Sequence, residues 1–216
     1  MAAGKMIVID GGNGAGKTTV LAAIERHLRE RGCDFIMTRE PGGTPIGEQI
    51  RGILLNPEGQ EMCDVAELLL FGAARAQHLK EKILPALDAG KIVVSDRFDS
   101  ATVSFQHFAR GLALELVNRV NEIAVDGFKP DVTIILDIDA AKGLERVGSR
   151  GGQLDRLERQ RLDFLNRARI GYLEQAKADP DSFVVIDASQ PLADVKEAAI
   201  LEVDRILTVS KHHRCR

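Results

Sequence analysis

The chain has few cysteines, few aromatic side chains and no excess of either charge. Cys33, Cys63 and Cys215 are its only cysteines, odd in number and without C-x-x-C spacing. That pattern excludes a disulfide framework and reads as reduced thiols in a cytoplasmic protein. The 29 basic and 32 acidic side chains leave a net charge of −3. No global field therefore draws nucleic acid or an anionic membrane surface. No apolar stretch approaches the length of a membrane span, and the start lacks the long apolar core of a signal peptide. Internal repeats, low-complexity tracts and linkers are absent as well. What remains, with 44% hydrophobic and 28% charged residues over 216 positions, is the composition of one globular domain with an ample core.

Against these absences stands one dense motif. Gly11-Gly12-Asn13-Gly14-Ala15-Gly16-Lys17-Thr18 fits G-x-x-x-x-G-K-[ST] and follows the apolar run Met6-Ile7-Val8-Ile9 directly. A buried strand, a glycine loop and a helix start together form a phosphate cradle. Glycines accept backbone angles that a Cβ forbids, so successive N–H groups can converge on phosphate oxygens. Lys17 then reaches the β- and γ-phosphates, the Thr18 hydroxyl completes a Mg²⁺ shell, and the helix start adds its positive dipole end. The motif predicts a site for a nucleoside triphosphate.

Short apolar runs alternate with helical patterns along the chain. Strands are predicted at 6–10, 34–38, 91–95, 132–138 and 183–187, several apolar at successive positions, as parallel strands covered on both faces are. Between them Val20, Ile24 and Leu28 share one helical face, as do Ile46, Ile50, Ile53 and Leu54. A long helix is predicted to carry Leu157, Phe164, Leu165, Ala168 and Tyr172, and a last one to begin at Pro191. The expected architecture is α/β and P-loop NTPase-like, a five-stranded parallel sheet flanked by helices on both faces. Its ligands would bind at the carboxyl ends of the strands.

Other candidates sit at those strand ends. Asp96 and Arg97 follow the third strand, where a carboxylate can hold the Mg²⁺ water shell and a guanidinium can fork onto a phosphate. Taken alone, the pair also fits a structural ion bridge. Arg39 leads into Glu40-Pro41-Gly42-Gly43-Thr44, a turn with Thr44 as helix cap; it is either a second phosphate fork or a surface arginine. Arg146, Arg150, Arg156, Arg159 and Arg161 surround Gly151-Gly152. They form either a solvated face or a mobile lid, around 148–157, that carries positive charge to a transition state. Phe71 and Arg75 lie one helical turn apart. A ring and a fork so placed suit a nucleobase, or merely a core phenylalanine beside a surface arginine. Thr102 and Gln106 are open to the same two readings.

These segments together resemble the bacterial thymidylate kinase family over nearly the whole chain. The resemblance rests on the P-loop, Thr38-Arg39-Glu40-Pro41-Gly42-Gly43-Thr44, Leu70-Phe71-Gly72-Ala73-Ala74-Arg75 and Ser95-Asp96-Arg97-Phe98. It continues through Phe105-Gln106 with Arg110-Gly111, Leu136-Asp137, the run Arg150 to Glu158, and Ile186 to Leu192. It implies transfer of the ATP γ-phosphoryl group to dTMP, giving dTDP and ADP, with ATP and Mg²⁺ as cofactors and the two nucleotides as partners. By the same resemblance Phe71 stacks on thymine, Arg75 bonds its O4, and Thr102 and Gln106 meet the base edge. Asn13 meets the sugar, Arg39 and Arg97 hold the acceptor phosphate, and Thr18 and Asp96 serve the metal. Lys17, Arg97, Arg150 and Arg156 are then the catalytic cations, since the P-loop carries no arginine and the lid carries several. A homodimer is implied too, with the helix bearing Ile50, Ile53 and Leu54 as contact. Departures from the family pattern gather on the acceptor side: Asn13 for an acidic residue, Asp10 for Glu, Phe105 for Tyr, and His107-Phe108-Ala109 for a glycine-rich turn. They leave open a kinase for another (deoxy)nucleotide and a non-catalytic ATP-binding regulatory paralogue. A GTPase switch is excluded, because neither N-K-x-D nor D-x-x-G occurs.

Overall fold

A computed structural model describes residues 4–59, 61–148, 156–157 and 160–208. In chain order the elements are β1 (Lys5–Gly11), α1 (Lys17–Glu30), β2 (Phe35–Arg39), α2 (Pro45–Leu55) and α3 (Asp64–His78). A π-helical turn, Leu79–Ile83, carries α3 into α4 (Leu84–Asp88). Then follow β3 (Ile92–Asp96), α5 (Asp99–Thr102) with its π-helical continuation Val103–Ala109, α6 (Leu114–Val125) and β4 (Val132–Asp137). Last come α7 (Ala140–Gly148), α8 (Leu162–Ala178), β5 (Phe183–Asp187) and α9 (Leu192–Thr208).

The strands form one parallel sheet in the order β2-β3-β1-β4-β5. From β1 the chain goes to the β2 edge, returns as β3 between the two, and then crosses to β4 and β5 on the other side. That switch leaves a crevice at the carboxyl end of β1, where such sheets bind ligands. Successive residues of β1 serve opposite layers. Ile7 and Ile9 pack with Val20, Ile24 and Leu28 of α1 and Val203 of α9. Met6 and Val8 pack with Leu79, Ile83 and Phe98. A third cluster, Phe105, Phe164, Leu165, Ala168 and Tyr172, seats α8 against the π-helical segment behind the crevice.

The expected architecture is present, and no strand boundary moves by more than one residue. Asp96 is the last residue of β3 rather than the residue after it. The predicted long helix begins only at Leu162, so Leu157 precedes it. Arg150 and most of the predicted lid lie outside the described residues.

Candidate active site

At the carboxyl end of β1 the chain turns through Gly11 (φ 128°), Gly14 (φ 78°) and Gly16 (φ 91°). A Cβ on Gly14 would fall 2.1 Å from the carbonyl oxygen of Gly143, and one on Gly11 would fall 2.3 Å from that of Leu136. The loop is thus wedged against α7 and β4, and only glycine fits. Gly16 caps α1 without any side-chain hydrogen bond, and no acidic residue stands in the first turn. No capping side chain or first-turn carboxylate therefore stands on the positive dipole end, which suits an anion. The Lys17 ammonium arches back over the loop, 3.1 Å from Gly11 O and 3.0 Å from Gly12 O.

The loop forms one wall of a cleft of about 270 Å³. Asn13, Lys17, Thr18, Arg39, Asp96 and Arg97 line its phosphate end, and Phe71, Thr102, Phe105 and Gln106 line the other. Asp96 pairs in register with Ile9 and with Arg39, which brings three strand ends together. Among the described residues Asp96 Oδ1 is a buried side-chain oxygen with no hydrogen-bond partner. Such an orphan acceptor, with the exposed Thr18 residue in the same cleft, could serve a hard oxygen-seeking cation.

Arg97 is held in a left-handed backbone conformation, φ 72°, that a side chain seldom adopts. Its Nη1 donates to Asp10 Oδ1 (2.8 Å), Gly11 O (3.1 Å) and Tyr172 Oη (2.7 Å), and its Nη2 to Asn13 Oδ1 (3.0 Å). The Phe105 ring lies beneath the guanidinium, 5.2 Å from centroid to Cζ, so phenylalanine here still gives a cation–π contact. Burial alone would lower the pKa of Arg97, but Tyr172, Asp10 and Asp96 outweigh it and raise it. Asp10 is sealed, 0% exposed, and also accepts from Tyr172 Oη (2.6 Å) and Ser100 Oγ (2.8 Å). Burial raises the Tyr172 phenol well above its ordinary value, so it stays a neutral donor.

Arg39 is held by Glu48 (3.0 Å), which also accepts from Gly43 N (2.8 Å). That backbone bond, and Arg39 with it, lowers the Glu48 pKa despite partial burial. Arg51, on α2, joins the same wall and donates to Pro41 O (2.8 Å).

The base end differs from expectation in two places. Arg75 is 1% exposed and lies beneath the cleft lining rather than in it. Nε donates to Glu40 (2.8 Å), Nη1 to Asn121 (2.8 Å), and Nη2 to Phe98 O (3.0 Å) and Thr102 Oγ1 (2.9 Å). Arg156 is 4% exposed and turned away from the P-loop. Its Nε donates to Leu54 O (2.9 Å) at the end of α2, and its Nη2 to Glu67. The reason is charge: Glu67, buried on α3, collects Arg156 and Arg110, and a cation beside the last carbonyls of a helix is stabilised by its dipole. In this placement Arg156 ties its segment to α2 and α3.

The thymidylate kinase family model matches residues 9–199. The chain belongs to the thymidylate kinase family. It is 46% identical over 211 residues to a thymidylate kinase of Geobacillus thermodenitrificans, a match covering 97% of this chain and 94% of that protein. With a thymidylate kinase of another Geobacillus strain it shares 46% over 201 residues, 93% and 96% of the two chains. With one of Hahella chejuensis it shares 44% over 198 residues, 92% and 95%. In this member of the family Asp10, Arg51, Glu67 and Tyr172 belong to the site or its supports; of these only Asp10 stood out in the sequence, as an acceptor-side departure from the family pattern and without a role. One signal was present. Glu67, Phe71 and Arg75 recur every four residues, a carboxylate and a guanidinium on the buried face of one helix.

Proposed function

We propose that this chain transfers the γ-phosphoryl group of ATP to the 5′-phosphate of dTMP, giving dTDP and ADP. One observation carries the reading beyond family membership. A single cleft of about 270 Å³ has the P-loop lysine at one end, a base-sized slot at the other, and Arg97 between them. The N–H groups of the loop and Lys17 would hold the β- and γ-phosphates, with Arg39 and Arg97 on the acceptor phosphate. The acceptor is already an anion, so no side chain need act as a strong base; alignment and charge neutralisation suffice. Thr18 and Asp96 would hold Mg²⁺, which when bound neutralises charge between the transferring phosphates. Phe71 would stack on the base while Thr102 and Gln106 meet its edge. Arg75 acts from below, by holding Thr102 Oγ1 in place. Arg150, not Arg156, is then the arginine of the 148–157 segment to test for a catalytic role.

We read residues 1–216 as one nucleotide-kinase domain and as a cytoplasmic homodimer. Ile53 (54% exposed), Leu69 (55%) and Ile123 (74%) leave an apolar surface on α2, α3 and α6. Leu54 is sealed inside the protomer, 0% exposed, and so cannot serve that contact. Among the described residues no helix is long and apolar enough to cross a membrane, and Cys33 and Cys63 are free thiols.

The test is ADP release from ATP and Mg²⁺ with dTMP, dUMP, dCMP, dGMP, UMP and thymidine offered singly. Strong turnover with dTMP, weaker with dUMP and none with the rest is expected. Turnover on another acceptor, or silence on all six, overturns the reading.

A further inference from the structure

Glu67 is a carboxylate without solvent, 1% exposed. Its Oε1 accepts from Gln106 Nε2 (2.9 Å) and Arg110 Nε (3.1 Å), and its Oε2 from Arg110 Nη2 (3.1 Å) and Arg156 Nη2. Burial pushes its pKa up, but the Arg110 and Arg156 guanidiniums outweigh burial and hold it below the ordinary carboxylate value. An ionised carboxylate only accepts hydrogen bonds. The Gln106 amide therefore must turn its NH₂ to Glu67, which leaves Oε1 on the opposite side. Gln106 lines the cleft, and no residue of the chain is bonded to that oxygen among the described residues. Thr102, one helical turn away, is fixed in the complementary sense. Its Oγ1 already accepts from Arg75 (2.9 Å), so its hydroxyl proton is free to donate into the cleft.

We propose that Glu67 is a positioning residue that sets the sense of the Gln106 amide, so that the cleft selects a pyrimidine bearing N3–H over one whose N3 is bare. The slot offers one acceptor and one donor. Thymine and uracil present N3–H beside carbonyl oxygens and match it. In the pose that pairs thymine N3–H with Gln106 Oε1, cytosine would set its bare N3 against that oxygen, acceptor against acceptor. Arg110 and Arg156 serve to keep the carboxylate ionised. Arg110 is itself braced by the Phe164 ring, 4.7 Å from centroid to Cζ. This inference rests on the reading of a pyrimidine nucleotide as acceptor.

The probe pair is dTMP and 5-methyl-dCMP, which have nearly the same shape and opposite hydrogen-bonding sense at N3 and C4. Wild-type protein is expected to favour dTMP in kcat/KM by about 10³-fold or more, as buried polar sites discriminate. Glu67→Gln replaces an acceptor-only group with an amide that either gives or takes, so Gln106 can turn over. The preference should shrink by about tenfold or more, with the loss for dTMP falling mainly in KM. Glu67→Asp, which keeps the carboxylate, should retain most of the preference. An unchanged preference in a folded, active Glu67→Gln protein overturns the inference and leaves the kinase reading intact. Wild-type protein that does not use dTMP overturns both. If Glu67→Gln does not fold, the ¹⁵N-resolved side-chain amide of Gln106 in wild-type protein decides, assigned by its loss in Gln106→Met. One of its protons should stay protected from exchange when dTMP saturates the cleft; loss of that protection overturns the inference.

Discussion

At the phosphate end of the cleft the loop wall comes from one unbroken stretch, residues 11–18, joined by Arg39, Asp96 and Arg97 from neighbouring strand ends. At the base end each polar group in the lining rests on a buried ion from elsewhere in the chain. Thr102 rests on Arg75, and Gln106 on Glu67. The two constructions fail differently. Removing a side chain from the first takes charge from the reacting atoms and leaves nothing stranded. Removing one from the second leaves a counter-charge in the interior, which costs more than the lost contact. Arg97 joins the two regions, because it lines the cleft beside the P-loop and yet is fixed by the sealed carboxylate of Asp10.

The sharpest separation is expected at Lys17. Lys17→Ala should lower kcat by about 10³-fold, the loss of one preorganised cation at developing charge. Its melting temperature should stay within about 2 °C of wild type. Turnover and thermal unfolding on the same preparation check both, and a large loss of stability would erase the distinction between the two ends. Asp10→Asn lies on the boundary and should show both kinds of damage. It removes the charge that holds Arg97 and weakens the anchor shared with Tyr172 and Ser100. Unfolding in denaturant should report a loss of about 3 kcal/mol, and kcat should drop by about 10² as Arg97 swings from its pose.

A smaller effect, of about 2–3 kcal/mol, is expected for Gly14→Ala. The substitution demands a left-handed angle of an alanine and puts its Cβ 2.1 Å from a backbone carbonyl that cannot step aside. Since the P-loop is the element displaced, ATP affinity measured by calorimetry should fall alongside stability.

The same division explains what could be read from the chain alone. The P-loop, the strand it follows and the Asp96–Arg97 strand end are contiguous, so spacing reveals them. The sheet follows from apolar runs for the same reason. Arg156 and Arg75 were legible only as charges on helices. Their destinations depend on Glu67 and Glu40, which lie far away in sequence and meet them only after folding. Leu157 failed similarly: its spacing from Phe164 suits a helix, yet α8 begins at Leu162. Asp10 was legible only as a departure from the family pattern, not as the anchor of Arg97, and Tyr172 hid as one more apolar position on a helix.

The smallest effect has its sign set by burial. Asp99 lies beside Arg75 and Glu40 at the base end, where burial, with Glu40 adding to it, raises its pKa even though Arg75 pulls the other way. A carboxyl group with a raised folded-state pKa favours the native state while protonated. That contribution is complete below the unfolded value of 3.8 and is lost as pH rises through the folded value. Above it the native state holds a carboxylate that would be better solvated in the unfolded chain. Asp99→Asn keeps the acceptor oxygen that receives Ser100 N at 3.0 Å and removes the charge. The variant should therefore gain stability relative to wild type at pH 8, and gain less or nothing at pH 4. Melting temperatures of both proteins across that range check it. A gain at pH 4 equal to that at pH 8 would mean that the charge of Asp99 is not what the base end tolerates at cost.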